Sequence, residues 1–299
     1  MKTPQQTFPE LNRALGIEVY LKREDMHKYG SHKGRSIPYM VKKYAKEDGI
    51  KKFVISSSGN AALAAIHTVQ AHNRNNEEKL ELTVYIGNNI DAQKLKMMTA
   101  VIEDPKVQML QVERPKQTAL QTEKEGEIKI LRQSSDDTAL VGYAELADEL
   151  NKIPNLNAIF IPTSSGTTVQ ALGMAFETIK PSTWGGKQFP QLHIVQTTAC
   201  HPMSELFDTD TRTTKTSIAG AIVDNVAFRK EKVKEIIDKT KGFGWIVTDD
   251  EIKEAQKLIK DTCNLAISPN SALSIAGLIR AQKKGYTFDG VVVCLITGL

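Results

Sequence analysis

The chain changes from strand to helix within residues 53–68, which read FVISSSGNAALAAIHT. Phe53, Val54 and Ile55 form a continuous apolar run, the pattern of a strand that is covered on both faces in a parallel sheet. An alanine-rich segment follows, and the serines, glycine and asparagine between the two mark a helix start. N–H groups and hydroxyls at a helix start can bind an anion, although small hydroxyl residues also cap helices without a ligand. The stretch therefore predicts an α/β unit with a candidate anion site.

The same alternation extends along the rest of the chain. Apolar runs typical of buried strands occupy residues 53–55, 82–86, 158–161, 193–195 and 291–296. Segments long enough for crossover helices occupy residues 91–99, 137–150, 166–179 and 249–262. Such alternation predicts an α/β fold with parallel sheets, in which ligands bind at the carboxyl ends of the strands.

Local signals support the predicted helices. Thr248 and Glu251 have the spacing of a capping box, and Pro269 suits the first turn of another helix. Residues 71–79 and 181–190 are polar and are expected to form surface loops.

The amino-acid composition limits the classes of protein to which the chain can belong. The 299 residues are 40% hydrophobic and 25% charged, which is enough for one large or two modest domains. The 39 basic and 35 acidic residues are mixed along the chain, so no nucleic-acid partner is implied. The start lacks the apolar stretch of a signal peptide, and no run reaches the roughly 18 apolar residues of a membrane span, so we expect a cytoplasmic protein. The three cysteines have the spacing of neither a metal site nor a disulfide framework, and no metal is predicted.

One lysine lies in a sequence context that suits a nucleophilic amine. Lys33 lies in the segment Gly30-Ser31-His32-Lys33-Gly34-Arg35-Ser36, and an apolar-periodic stretch follows it. That pattern places Lys33 at or near a helix start. A positive helix end and partial desolvation both favour the neutral amine that a nucleophilic lysine needs. Taken alone, however, this seven-residue segment favours a solvated lysine in a polar loop.

Two further motifs follow strand-like runs. Residues 163–167, which read TSSGT, come directly after one apolar run and repeat the small, hydroxyl-rich composition of residues 56–59. Thr297 follows the last apolar run. Common signatures such as GxGxxG, GxxxxGK[ST], HExxH and GxSxG are missing from the sequence.

The order and spacing of these four motifs resemble the tryptophan-synthase-like family of pyridoxal-phosphate enzymes, also called fold type II. The segments 57–62 and 142–147, SSGNAA and GYAELA, are most similar to the threonine synthase branch. The resemblance implies two doubly wound sheet domains, with residues 1–35 and 145–299 in the larger, cofactor-binding domain. Residues 36–144 would form a smaller, mobile substrate-binding domain. It also implies pyridoxal 5'-phosphate as cofactor, a small amino acid as substrate and a homodimer.

The resemblance assigns a role to each motif. Lys33 corresponds to the lysine that holds the cofactor as a Schiff base, and Asn60 to the asparagine that hydrogen-bonds the ring hydroxyl. Thr297 corresponds to the residue that faces the pyridine nitrogen. The substrate carboxylate would be bound by Ser57, Ser58 and Gly59. The cofactor phosphate would be bound by Thr163, Ser164, Ser165, Gly166 and Thr167.

Departures from the family pattern leave the substrate open. Gly34 follows the lysine where aspartate is usual, and His27-Lys28-Tyr29 replaces the Asn-Pro-Thr of threonine synthases. The leading prediction is conversion of O-phosphohomoserine to threonine, with Lys94 and Lys96 as candidates for a second phosphate site or merely the polar face of a helix. The alternatives are a serine or threonine ammonia-lyase, a cysteine-synthase-like β-replacement enzyme and a non-catalytic homologue. His32, beside the lysine, is a weaker candidate for a catalytic role.

Overall fold

The computed structural model describes residues 2–179, 189–209 and 212–298. The chain forms two compact units, one of Met1–His27 with Tyr143–Leu299 and one of Lys28–Gly142. The prediction divided the chain after residues 35 and 144. Lys33 falls in the second unit because the helix that it begins packs into that unit's core through Ile37, Met40 and Val41.

Strands and helices alternate along most of the described chain. In chain order they are β1 (Gln5–Thr7), α1 (Pro9–Leu15), β2 (Val19–Arg23), α2 (Lys33–Glu47), β3 (Lys52–Ser56), α3 (Asn60–Asn75), β4 (Glu81–Gly87), α4 (Ala92–Ala100), β5 (Val107–Val112), α5 (Pro115–Lys124), β6 (Ile128–Ile130), α6 (Thr138–Val141), α7 (Ala144–Leu150), β7 (Leu156–Pro162), α8 (Thr167–Thr178), β8 (Gln191–Thr197), α9 (Lys230–Thr240), β9 (Phe243–Val247), α10 (Asp249–Cys263), α11 (Pro269–Lys283) and β10 (Val291–Ile296).

The first unit is built on a six-stranded sheet in the order β1-β2-β10-β7-β8-β9. Only the β1–β2 pair is antiparallel. Apolar side chains of α1, α10 and α11 form one core with strand residues such as Leu21, Phe160 and Val195. Helices α8 and α9 contact β8. The last strand in sequence, β10, therefore lies in the interior of the sheet, between β2 and β7.

The second unit has a four-stranded parallel sheet in the order β5-β4-β3-β6. Helices α2 and α3 share a core with β3 and β4. Ala119 of α5 packs in a separate cluster with Val54, Tyr85 and Ile130. Both units are thus α/β structures with parallel sheets, which confirms the predicted fold class.

All five predicted strands are confirmed, and they lie within β3, β4, β7, β8 and β10. The helix predicted over 137–150 is interrupted between α6 and α7. Gly142, in this gap, lies against α2: a Cβ there would be 2.5 Å from the Cα of Ser36. The prediction of a loop at 71–79 is wrong for residues 71–75, since α3 continues to Asn75. Of the loop predicted at 181–190, residues 181–188 lie outside the described residues. Among the helices that the structure describes, none combines the length and apolar character needed to cross a bilayer.

Candidate functional site

The loop between β7 and α8 lies at the carboxyl edge of the first unit's sheet. Its first residue, Thr163, belongs to the sheet edge: its N–H donates to the carbonyl of Val195 (2.9 Å) and its hydroxyl to the carbonyl of Ile161 (2.8 Å). Both donors of Thr163 are therefore already used within the protein, unlike those of the next three residues.

Ser164, Ser165 and Gly166 present backbone N–H groups that have no hydrogen-bond acceptor within the described residues. They precede α8, whose positive end favours an anion. Gly166 has φ +78°, and a Cβ there would also be 2.7 Å from Cγ2 of Val233, so only glycine fits. The loop thus has the geometry of a phosphate cradle.

Hydroxyl groups line the same loop. The Oγ of Ser165 and the Oγ1 of Thr167 are 2.9 Å apart, and the Oγ of Ser164 accepts the N–H of Val223 (3.2 Å). Because its oxygen accepts there, Ser164 can still donate its own hydrogen to a ligand. The contact also links the loop to the segment near residue 223.

Thr297 lies beside this loop in the same unit. It follows β10, whose Cys294 is paired with Phe160 of β7, so Thr297 comes one residue after the strand end that neighbours the start of the β7–α8 loop. Its side chain is buried, with 5% of its surface exposed. The first unit therefore brings together the predicted phosphate loop and the hydroxyl predicted to face the pyridine nitrogen.

In the second unit, Lys33 is the first residue of α2, as predicted. The first turn is fixed by hydrogen bonds from Gly34 N to Ser31 O (3.0 Å) and from Arg35 N to His32 O (3.1 Å). Lys33 is half-buried. The nearby Ser31 hydroxyl is fully buried and has no hydrogen-bond partner among the described residues. Sequence reasoning did not single out this serine.

The loop from Ser57 to Gly59 joins β3 to α3, and Asn60 is the first residue of α3. Ser57 Oγ accepts the N–H of Gly59 (3.3 Å). Gly59 has an extended backbone, and among the described residues no atom lies within 4 Å of where its Cβ would be. Space beside this glycine is thus open at a helix N-terminus, as an anion site requires.

Lys94 lies in the first turn of α4, where Asp91 Oδ1 accepts its N–H (2.9 Å), and Lys96 lies in the middle of this nine-residue helix. Because β4 is parallel to β3, α4 begins at the same sheet edge as the Ser57–Asn60 loop. Both lysines are exposed.

Each unit by itself supplies groups that suit a cofactor with a phosphate, a ring nitrogen and a carbonyl carbon. In the first unit, consecutive N–H groups and hydroxyls before α8 match a dianion, and Thr297 supplies a neutral hydroxyl. In the second unit, Lys33 supplies a primary amine. Besides Ser31, sequence reasoning missed Ser268 and Ser271, whose hydroxyls donate to the carbonyl of Gly298. In the sequence, the serines before and after Pro269 indicate only an ordinary helix cap.

Comparison with known proteins places these motifs in a family. A family model described as pyridoxal-phosphate-dependent enzyme matches residues 1–298. Threonine synthase of Methanocaldococcus jannaschii is 28% identical over 313 residues, which cover 99% of this chain and 74% of that protein. A threonine dehydratase of Nicotiana attenuata is 24% identical over 302 residues, which cover 99% of this chain and 47% of the dehydratase. The chain thus spans about half the length of that relative.

Among solved structures, maize serine racemase superposes with a TM-score of 0.81 at 16% identity, covering 100% of this chain and 88% of that one. The processed threonine deaminase isoform 2 of Solanum lycopersicum gives a TM-score of 0.79 at 20% identity, covering 100% of this chain and 79% of that one. At these identities the likeness shows a shared fold. Synthases, dehydratases and racemases all occur among the similar proteins, so the threonine synthase branch is not specifically favoured. The match of the family model over nearly the whole chain, together with the fold, shows that the chain belongs to the family of pyridoxal-phosphate-dependent enzymes.

Proposed function

We propose that this chain catalyses elimination at the β or γ carbon of a small amino acid, and that its reaction is that of a threonine synthase acting on O-phosphohomoserine. The observation that carries the elimination is Thr297, a buried hydroxyl beside the start of the β7–α8 loop. A neutral hydroxyl opposite the pyridine nitrogen does not supply a proton as a carboxylic acid would. Loss of a leaving group is then favoured over transamination.

Pyridoxal phosphate supplies an electron sink that stabilises negative charge at the substrate's α carbon. The protein decides which bond breaks. Lys33 is proposed to hold the cofactor covalently and, once displaced by the substrate amine, to move the proton at the α carbon. General-base transfer of this kind is typically worth about 10²- to 10⁴-fold in rate.

The remaining loops are proposed to bind and orient. The phosphate would be held by Ser164, Ser165, Gly166 and Thr167. The N–H and the hydroxyl of Thr163 already donate to backbone carbonyls, so Thr163 would support the sheet edge instead. Ser57, Ser58 and Gly59 would hold the substrate carboxylate at the start of α3. Asn60 would bond the cofactor's ring hydroxyl. We also propose, on family resemblance, that the working form is a homodimer, which sedimentation of the purified protein tests.

The choice of O-phosphohomoserine is supported by the position of Lys94 and Lys96. Both belong to α4, which begins at the sheet edge that carries the proposed carboxylate loop, and Lys94 lies in its first turn. A γ-phosphate needs a second anion site, and one charge-assisted contact is worth about 1.5 to 3 kcal/mol. Removing such a contact should lower kcat/KM for O-phosphohomoserine by about 10- to 150-fold.

The deciding experiment is a phosphate-release assay on purified protein with O-phosphohomoserine, with threonine measured as co-product. We expect both products from the wild type and a loss of kcat/KM in Lys94→Ala or Lys96→Ala. Lys124→Ala is the matched control, because Lys124 is also exposed but lies at the far end of α5. Phosphate release no faster than without protein would contradict the proposal.

A second candidate, an ammonia-lyase acting on threonine or serine, is favoured by the exposure of both lysines. Water weakens their contacts with a phosphate, and a hydroxyl leaving group needs no second anion site. The same protein would then form a keto acid from threonine or serine, detected by a coupled reductase.

A further inference from the structure

The chain beyond β10 is held by serines of α11. Ser268 and Ser271 both donate their hydroxyl hydrogens to the carbonyl of Gly298, at 2.6 and 2.7 Å. The N–H of Gly298 donates in turn to the Oγ of Ser271 (3.2 Å). Both polar groups of the residue after Thr297 are thus bonded to one helix.

The backbone at Gly298 makes this arrangement specific. Gly298 has φ +141°, a conformation that residues with a side chain rarely adopt. Its N–H belongs to the peptide unit that also contains the carbonyl of Thr297. Holding that N–H therefore restrains the last backbone angle of Thr297 and, together with β10 on the other side, the position from which the Thr297 side chain projects.

Capping alone does not explain the two serines. Ser268 is the N-cap of α11, and it fulfils that role by accepting the N–H of Ser271 (3.2 Å). A cap needs only this acceptor. The hydroxyl hydrogens of Ser268 and Ser271 are directed elsewhere, to the chain end that follows Thr297. One turn further along, Ser274 bonds the carbonyl of Leu295 (3.1 Å), so α11 holds the chain on both sides of Thr297.

We propose that Ser268 and Ser271 are positioning residues, which hold the peptide after Thr297 and thereby aim the Thr297 hydroxyl at the ring nitrogen of pyridoxal phosphate. The inference rests on the role proposed for Thr297. Neither serine touches the cofactor in this proposal; both act through the backbone of Gly298.

The test compares purified wild-type protein with Ser271→Ala by two measurements. The first is hydrogen exchange of the Gly298 amide, which should become at least about 2- to 10-fold faster, because Ser271→Ala removes the acceptor of this N–H as well as a donor to the Gly298 carbonyl. The second is the fraction of bound cofactor converted to its amine form per turnover, followed by absorbance. It should rise by a similar factor, because a misplaced hydroxyl leaves the ring nitrogen open to protonation. Ser271→Thr, which keeps the hydroxyl, should restore both.

Two variants separate positioning from stability. Thr240→Ala removes a buried hydroxyl of the same unit that bonds the carbonyl of Ile236 (2.9 Å) and not Gly298, and it should leave both readouts unchanged. Ser268→Asp keeps a good N-cap acceptor but loses the donor to Gly298, so it should shift both readouts without unwinding α11. If the wild type binds the cofactor but Gly298 exchange is unchanged in both Ser271→Ala and Ser268→Asp, this inference is wrong and the proposed function still stands. A wild-type protein that shows no cofactor absorbance would instead overturn the proposed function.

Discussion

Two residues of this chain show how the burial of a side chain affects whether it can react or titrate. Lys33 is half-buried at the first turn of α2, where it can meet a ligand. His193 is fully buried in β8, stacked on Phe160 with ring centroids 4.5 Å apart. Trp245 Nε1–H donates to His193 Nδ1 (3.2 Å), which fixes that nitrogen as an acceptor. We propose that Lys33 reacts with the cofactor, whereas burial keeps His193 neutral.

Lys33→Ala should abolish the visible absorption band of the bound cofactor, because no amine would remain to hold it covalently. Lys28→Ala, five residues earlier and exposed, should keep the band. Borohydride reduction followed by peptide mapping should place the label on Lys33. A label on another lysine would contradict every site assignment made by resemblance.

His193 should stay neutral down to strongly acidic pH, because burial lowers its pKa to about 3. The unfolded chain binds a proton near pH 6.5, so between about pH 6.5 and 3 the unfolded state holds one more proton than the folded state. Stability should therefore fall with decreasing pH in that window, by up to about 1.4 kcal/mol per pH unit from this residue. Histidine-selective NMR should show one imidazole that does not titrate between pH 5 and 8. The missing resonance in His193→Gln identifies it, and titration of that signal near pH 6.5 would refute the prediction.

At the scale of elements, the strands with continuous apolar sequences were predictable and the edge strands were not. β3, β7 and β10 carry uninterrupted apolar runs, and the runs predicted in β4 and β8 each contain one polar residue, Thr83 and His193. β5 is an edge strand in which Gln108, Leu110 and Gln111 are exposed, and the short β1 reads QQT. The loops before α3 and α8 were predictable because their residue types are unusual. The serines of α11 were not, since 27 and 30 residues separate them from Gly298 and serine is a common helix cap.

The β7–α8 loop gives an element-scale prediction. Ser164→Ala should weaken cofactor affinity by about 10- to 150-fold, the value of one charge-assisted hydrogen bond. Thr178→Ala, at the exposed end of the same helix, is the matched control. Cofactor titration followed by absorbance provides the measurement. Equal affinities for the two variants would mean that the loop is a helix cap and that the phosphate binds elsewhere.

At the scale of the whole molecule, the first unit is assembled from two separate pieces of chain. Lys22 of β2 is fully buried and pairs with Glu149 of α7, and its Nζ also donates to the carbonyl of Thr3 (2.8 Å). The early piece is thus joined to the later one by a buried ion pair as well as by the sheet. Sequence patterns did not reveal this pair, because its members lie 127 residues apart.

Lys22→Ala should lower the free energy of unfolding by about 3 to 5 kcal/mol, since it leaves the Glu149 carboxylate buried without its cation. The double change Lys22→Met with Glu149→Gln should recover much of that loss. Lys232→Ala, which breaks an exposed pair with Glu235, should cost far less than Lys22→Ala, because water screens that pair. Chemical denaturation measures all three, and equal losses for Lys22→Ala and Lys232→Ala would contradict the prediction.

The interior position of β10 has a consequence for biosynthesis. Ribosomes make this strand after every other strand of its sheet, yet it lies between β2 and β7. A nascent chain that ends before residue 291 therefore has two sheet fragments, β1-β2 and β7-β8-β9, with no strand to join them. Residues 28–142, by contrast, are contiguous and carry their whole sheet. During translation we expect this unit to become protease-resistant first, while the other remains cleavable until β10 has left the exit tunnel. Limited proteolysis of stalled nascent chains of increasing length would reveal that order.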